Sequence, residues 1–165
     1  MTEESFDEFY RTSLHRVGTF LYAMCGDLAE AQDAAQEAYV RAWQRWSVIS
    51  AYEDPEGWVR MVGLRLCRNR WRKTRNRVAA YRRHGAESVV EPPGDDTVAL
   101  VTALRRLPAG DRQAVVMHHL LDLPVADVAA QTGVPVNTVK TRLVRGRRTL
   151  AALLGITFPE EYANA

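Results

Sequence analysis

Residues 125–143 read VADVAAQTGVPVNTVKTRL and have the pattern of two short helices joined by a tight turn. The first segment repeats small apolar residues at helical spacing, namely Val125, Val128 and Ala129. Gly133 supplies the turn, because glycine adopts a positive φ angle without steric cost. Val134 and Val139 are spaced to pack the two helices against each other at a steep angle. The pattern predicts a helix-turn-helix whose second helix begins near residue 136.

The outer face of this predicted second helix is polar and basic, which suits a nucleic acid. Its first residues are expected to enter a major groove, where Asn, Lys and Arg hydrogen-bond to base edges. Its later arginines are better placed to contact phosphates. The candidate DNA-binding residues are Asn137, Thr138, Lys140, Thr141, Arg142, Arg145 and Arg148. The alternative, from these residues alone, is an ordinary helical hairpin with a basic face.

The net charge of the 165-residue chain is only +2, but the charges are unevenly distributed. Residues 1–56 hold eleven acidic and four basic residues, whereas residues 57–86 hold ten Arg or Lys and no acid. A second basic block has no acid between Val128 and Pro159. Phosphate backbones attract such blocks through Coulomb forces and counterion release. One block alone is equally consistent with a solvated helix face, but two blocks favour a nucleic-acid partner.

The rest of the sequence has helical periodicity, and no alternating β-branched run indicates a strand. A first helix carries an apolar face of Phe6, Phe9, Tyr10, Leu14, Val17, Leu21 and Met24. Asp27 is expected to cap a second helix over about 28–46, with Glu30 as its partner. A loop is expected over 47–55 and a long basic helix over about 56–84. The buried stripe of the basic helix is expected to hold Trp58, Val62, Leu66 and Trp71.

A linker is indicated by HGAESVVEPPGDD, residues 84–96, which holds two prolines, two glycines and a surplus of acid. The predicted fold is therefore all-α, with two small helical domains, residues 1–83 and 97–165, joined by a flexible linker. The second domain contains the helix-turn-helix. Asp111 is expected to cap one of its helices. A short amphipathic helix before it is expected to bury Val98, Val101, Leu104 and Leu107.

The segment AEAQDAAQEAYVRAWQRW, residues 29–46, carries a polar stripe on an alanine-rich helix. The stripe consists of Asp33, Gln36, Glu37 and Arg41, with Ala34, Ala35, Ala38 and Trp43 on the packing side. Taken alone, such a stripe is more often a solvated helix face. Because a basic helix, a linker and a helix-turn-helix follow in order, the segment resembles the core-polymerase-binding segment of bacterial sigma factors. The resemblance extends from about Phe6 to Leu154 and is to the extracytoplasmic-function group, the smallest of these factors.

This resemblance implies a transcription initiation factor. The first domain is expected to bind the clamp of RNA polymerase through Asp33, Gln36, Glu37 and Arg41, and to recognise the −10 promoter element. The second domain is expected to read the −35 element through the candidate residues of the helix-turn-helix and to contact the polymerase flap. The run PEGWVRMVGLRLCRNRWRKTR, residues 55–75, resembles an actinobacterial, SigE-like subgroup. An anti-sigma factor is a common partner in the family, and no residue here identifies one.

Promoter opening requires a pocket for an unstacked base, and unstacking costs about a few kcal/mol in related base-flipping systems. In the resembled family the loop before the basic helix forms this pocket. That loop is here residues 49–55, with Tyr52 as a stacking surface and Ser50 as a polar edge. The DNA strand is expected to lie along Arg65, Arg68, Asn69, Arg72 and Lys73. Arg65 departs from the family, which often has Asn at this position, and the departure affects the details of base selection.

The residues do not support catalysis or a resident cofactor. The four histidines lack metal-ligand spacing, and neither a glycine-rich phosphate loop nor a nucleophile elbow is present. No catalytic residue, metal site, cofactor or small-molecule substrate is therefore expected. One alternative function is a helix-turn-helix regulator that binds an operator without polymerase, but it leaves residues 29–46 unexplained. A helical adaptor that binds only protein leaves both basic blocks unexplained.

The expected localisation is cytoplasmic. Four acidic residues precede the first Arg, which is the wrong charge order for a signal peptide, and no apolar run is long enough for a membrane span. Cys25 and Cys67 lack metal spacing. They are expected to be reduced thiols in helix cores, with a regulatory disulfide as the alternative.

Overall fold

The computed structural model describes residues 3–75 and 93–157, except for the side chains of Glu4 and residues 70–75. The described residues form two compact units, residues 3–75 and 93–157, and all their regular elements are helices. The prediction of an all-α fold is confirmed. The domain boundaries at residues 83 and 96 stay a prediction, since residues 76–92 lie outside the described ranges. Asp95 and Asp96, which were assigned to the linker, begin a helix.

The first unit contains four helices: α1 (Glu3–Cys25), α2 (Leu28–Gln44), α3 (Trp46–Ile49) and α4 (Pro55–Arg75). Helices α1, α2 and α4 pack against one another around Phe20, Leu21 and Val59, which are fully buried. The predicted cap of α2 is confirmed, because the Asp27 carboxylate accepts a hydrogen bond of 3.0 Å from the Glu30 amide. The expected loop over 47–55 is shorter than predicted, since α3 extends to the buried Ile49.

An aromatic cluster joins α1 to the end of α2 and to α3. The Phe6 ring lies 5.1 Å from that of Trp43 and 5.3 Å from that of Trp46. Nearby, the hydroxyl groups of Ser13 and Tyr39 are 2.7 Å apart in the buried α1–α2 contact. Trp43 was expected on the packing side of α2, but its side chain contacts Phe6 with only part of its surface and remains 45% exposed.

The predicted buried stripe of α4 is only partly correct, because α4 contacts both α1 and α2. Leu66 is buried as predicted, Trp58 and Val62 are only partly buried, and the side chain of Trp71 lies outside the described set. Among the described side chains of α4, the buried apolar residues are Gly57, Val59, Gly63, Leu64, Leu66 and Cys67. Cys25 and Cys67 are not free thiols but form a disulfide bond between the end of α1 and α4. Their Cα atoms are 6.3 Å apart, within the range that a disulfide spans.

The second unit contains α5 (Asp95–Arg105), α6 (Ala109–Val115), α7 (Val125–Thr132) and α8 (Val136–Leu154). Helix α6 continues directly into a π-helical turn over Val116–Leu120. Val98, expected on the buried face of α5, is 44% exposed. Asp111 does not cap α6; Pro108 holds the cap position, and the buried Asp111 side chain lies in the first turn. No helix in the described ranges is both long and apolar enough to cross a membrane.

Candidate nucleic-acid interface

The helix-turn-helix is formed by α7 and α8, as the sequence predicts. Gly133 ends α7 with a φ angle of 71°, and its amide donates a 2.9 Å hydrogen bond to the Ala129 carbonyl. Val128 of α7 and Val139 of α8 are buried at the contact between the two helices. Helix α8 begins at Val136, directly after Pro135, whose fixed φ suits a helix start. The turn therefore holds the outer face of α8 on a rigid scaffold.

The outer face of α8 carries four of the candidate residues. Asn137, Lys140, Thr141 and Arg148 are exposed. They lie opposite the buried face of the helix, which consists of Val139, Leu143, Gly146 and Leu150. Thr138 is partly buried. Val136, which the sequence analysis did not single out, is 40% exposed at the first position of α8. In the sequence, the signal for Val136 was its position directly before Asn137, a candidate base-reading residue.

The two remaining candidates on α8 face α6. Arg145 donates from Nε and Nη2 to the two carboxylate oxygens of Asp111, each at 2.7 Å. This hydrogen bonding and the Asp111 charge raise the pKa of Arg145. Arg142 lies against Gly110, where an added Cβ would approach the Arg142 Cζ to 2.9 Å. Arg145 thus has a structural contact that the sequence analysis did not foresee, and its contact with phosphates stays a prediction.

The basic face of α4 lies after a short turn. Arg65, Arg68 and Asn69 are exposed and share one side of the helix at spacings of three and four. Arg72 and Lys73 belong to the same helix, but their side chains lie outside the described set. In the turn, Tyr52 is 45% exposed and Ser50 is partly buried. The structure therefore leaves an aromatic ring and a basic helix face accessible in the same unit.

The polar stripe of α2 faces away from the packing side, as predicted. Ala34, Ala35 and Ala38 are buried, whereas Arg41 is exposed and the other stripe residues are partly exposed. Arg41 and Glu37 form an ion pair of 2.6 Å between Nη2 and Oε1. Val40, which the sequence analysis missed, is 54% exposed on the same face, three residues after Glu37. The stripe therefore combines charged groups with an apolar contact point.

Comparison with known proteins identifies the family. Residues 9–77 match the model of sigma-70 region 2, and residues 97–150 match the model of sigma-70, region 4. The ECF RNA polymerase sigma factor SigM of Mycobacterium tuberculosis is 31% identical over 160 residues, which cover 92% of this chain and 78% of that protein. The chain belongs to the extracytoplasmic-function RNA polymerase sigma factors.

Further relatives of this sigma factor agree with the assignment. The ECF RNA polymerase sigma factor SigW of Bacillus subtilis is 26% identical over 161 residues, covering 87% of this chain and 83% of the relative. Among solved structures, the sigma factor RpoE from Bartonella quintana, in complex with the anti-sigma factor NepR, gives a TM-score of 0.74. It is 20% identical, and the match covers 94% of this chain and 99% of that one. This likeness shows a shared fold.

The histidine pair of this sigma factor lies in the π-helical turn. His118 Nδ1 is 2.8 Å from the Leu123 carbonyl oxygen, and the two imidazole rings are 4.8 Å apart. Partial burial lowers the pKa of His119, and the nearby His118 and Arg147 lower it further. Within residues 3–75 and 93–157, no group of His, Cys, Asp and Glu side chains is arranged to hold a metal ion.

Proposed function

We propose that three surfaces of this sigma factor divide the recognition of polymerase and promoter. The α2 stripe binds the clamp of core RNA polymerase, the turn before α4 together with the α4 basic face binds the −10 element, and α8 reads the −35 element. The observation that carries the proposal is that these polar faces are exposed on two helical units that match sigma-70 regions 2 and 4. The division into a first domain ending at about residue 83 and a second domain, with a linker between them that ends before α5 begins at Asp95, is part of the proposal.

At the −35 element, we assign base reading to the start of α8. Asn137, Lys140 and Thr141 are exposed at the end of the helix that enters the groove in a helix-turn-helix. Val136 is placed to contact a thymine methyl group, which only the major groove presents. Arg148 lies three turns further along the same face and suits a phosphate contact. The same unit also contacts the polymerase flap.

At the −10 element, the proposal combines stacking with charge. The exposed Tyr52 ring offers a surface for an unstacked base, with Ser50 at its edge. The exposed cations Arg65 and Arg68 attract the backbone of the opened strand, and Asn69 adds a hydrogen-bonding group. Arg72 and Lys73 are proposed to extend this face.

At the polymerase, Asp33, Gln36, Glu37 and Arg41 are proposed to form the polar part of the contact, with Val40 as its apolar centre. Protein interfaces commonly have an apolar core surrounded by a polar rim. The exposed Val40 between Glu37 and Arg41 satisfies that pattern. The stripe residues are held on a rigid helix, which lowers the entropy lost on binding.

The proposed mechanism is bipartite and involves no covalent step, so the chain is proposed not to be an enzyme. Each domain binds DNA weakly by itself, and docking on polymerase sets their separation, which raises the effective concentration of the second contact. Since the partner is RNA polymerase, the proposed localisation is cytoplasmic. An anti-sigma factor is included among the proposed partners because RpoE of Bartonella quintana binds one. Membership of the SigE-like subgroup is supported by a 28% identity to SigE of Mycolicibacterium smegmatis.

The deciding experiment is co-purification with bacterial core polymerase, followed by runoff transcription on promoter fragments from the source genome. Core binding and promoter-specific transcripts are expected. The double variant Asp33→Ala/Glu37→Ala should lose core binding, while the exposed-residue control Arg11→Ala should retain it. Tight duplex binding by the free chain, with no core binding, would instead indicate an operator-binding regulator and refute the role of the α2 stripe.

A further inference from the structure

Arg60 is buried in a helix whose other described arginines point outward. Arg60 is only 4% exposed, whereas Arg65 and Arg68 of the same helix are exposed. A guanidinium group is almost never buried unless it is paired, because removal from water disfavours the charge. Arg60 therefore has a role different from that of the basic face, and the groups that it contacts define that role.

The partners of Arg60 lie at the junction between the turn and α4. Its Nη2 donates to Asp54 Oδ2 at 3.2 Å, and its Nη1 donates to Glu56 Oε1 at 3.0 Å. Asp54 is the last residue before α4, and its Oδ1 accepts a 2.8 Å hydrogen bond from the Gly57 amide. Both oxygens of the Asp54 carboxylate are thus held by α4, one by the backbone and one by Arg60.

Helix α1 extends this network. Arg16 donates from Nε and Nη2 to the two carboxylate oxygens of Glu56, at 3.1 and 2.6 Å. Glu56 therefore lies between Arg16 of α1 and Arg60 of α4. Because Glu56 is only 18% exposed in its side chain, its charge is screened less than that of a surface residue. The network joins the start of α4 to a second helix of the same unit.

The small residue at position 57 leaves space for the ion pair between Asp54 and Arg60. A Cβ atom at this position would clash with Asp54 Oδ2 and would lie 3.3 Å from Arg60 Nη2. Any larger residue would displace the Asp54 carboxylate from Arg60. The contact thus depends on a small residue at position 57 as well as on the buried cation.

We propose that Arg60 is a positioning residue that fixes the turn 50–54 for base capture at the −10 element. The opposite end of this turn is already held by the buried Ile49 and by the 2.9 Å hydrogen bond from the Ser50 amide to the Trp46 carbonyl. Arg60 holds the end at Asp54, so Ser50 and Tyr52 keep a constant position. Capture of one unstacked base needs such precision, since a binding group must be held to about 0.5 Å. This inference rests on the proposed function of the turn.

The test compares base selection at the two promoter elements. Arg60→Lys, which retains the charge but not the fork of two donors, and Gly57→Ala are compared with the wild-type chain and with Arg11→Ala. Runoff transcription with core polymerase is measured on a wild-type promoter and on promoters with single base changes in the −10 or −35 element. Both variants should lose discrimination at the −10 element by about tenfold, given how steeply misplacement weakens such sites. Discrimination at the −35 element and affinity for core polymerase should stay at the wild-type values.

Amide hydrogen exchange of the free protein gives a second readout that does not depend on transcription. Exchange at the Tyr52 amide, which hydrogen-bonds to the Ile49 carbonyl, should accelerate in both variants relative to Arg11→Ala. Folded variants with wild-type exchange and wild-type −10 discrimination would overturn the inference, as would equal losses at both elements. If the wild-type chain gives no promoter-specific transcript, the proposed function fails, and the exchange rates alone decide whether Arg60 positions the turn.

Discussion

Arg145 of α8 and Asp111 of α6 form a pair of 2.7 Å hydrogen bonds that joins these two helices. The Asp111 side chain is 2% exposed, whereas that of Arg145 is 59% exposed. The buried member of the pair is therefore the acid, and the cation covers it from the solvent side. This relationship makes Arg145 a structural residue of the domain, whether or not it also contacts DNA.

Removal of the Arg145 side chain is expected to destabilise the second domain. Arg145→Ala leaves a buried carboxylate without this partner, which is strongly unfavourable. The melting temperature should fall, and Arg148→Ala, at an exposed position on the same helix, should leave it nearly unchanged. Circular dichroism melts of the full chain provide the measurement. If Arg145→Ala melts like the wild type yet loses use of the −35 element, Arg145 acts mainly on DNA.

Lys140 is expected to act on DNA without a structural role, because it is exposed on the outer face of α8. Lys140→Ala should weaken transcription from promoters that depend on the −35 element and leave core binding unchanged. If Lys140 contacts a phosphate, the plot of log binding constant against log salt concentration should become shallower by about one unit. Arg105→Ala, exposed on α5, is the matched control for loss of a positive charge. Loss of core binding in the Lys140 variant would contradict the assignment of α8.

Reduction of the Cys25–Cys67 disulfide is expected to lower the free energy of unfolding. The bond closes a loop with a sequence separation of 42. Such a crosslink restricts the unfolded chain and typically contributes about 2–4 kcal/mol. Urea unfolding with and without reductant measures the difference, and the variant Cys25→Ser/Cys67→Ser should not respond to reductant. Reaction of both thiols with a labelling reagent in the untreated folded protein would show that the bond is absent.

Gly63→Ala is expected to destabilise the first domain despite the better helix propensity of alanine. A Cβ at position 63 would lie 2.7 Å from Cδ1 of the fully buried Leu21. Overpacking of this kind costs about 1–3 kcal/mol, whereas replacing glycine in a helix gains about 1 kcal/mol. Urea unfolding should therefore show a net loss of stability. A gain of stability would mean that Leu21 can move aside without cost.

The second domain is expected to lose stability at mildly acidic pH through His119. Because the folded-state pKa of His119 lies below the ordinary value of 6.5, protonation favours the unfolded chain. The stability that neutral His119 contributes to the folded domain is fully present above pH 6.5 and is lost as the pH falls through the folded-state pKa. Melting temperatures between pH 8 and pH 5, compared with those of His119→Asn, measure it. An identical pH dependence in the variant would assign the effect to other groups.

Several features were predictable because they depend on residues close together in the chain. Asp27 caps α2 through the amide of Glu30, three residues away. Gly133 adopts the positive φ angle that ends α7, and the buried alanines of α2 recur at helical spacing. The order of polar stripe, basic helix and helix-turn-helix also identified the family before any comparison. The cap, the turn and the alanine spacing follow from local backbone geometry, which acts within about one helical turn.

The features that could not be predicted depend on how the helices are rotated and packed. Asp111 meets Arg145 from 34 residues away, and Cys25 meets Cys67 from 42 residues away. Helical periodicity predicted the burial of Leu66 but not that of Val59 and Leu64, because contacts with both α1 and α2 decide which side of α4 is covered. The sequence by itself determined the all-helical fold, the cap of α2, the turn at Gly133 and the family. Only the tertiary structure decided which charged side chains are buried and paired, since burial depends on neighbours that the linear order does not specify.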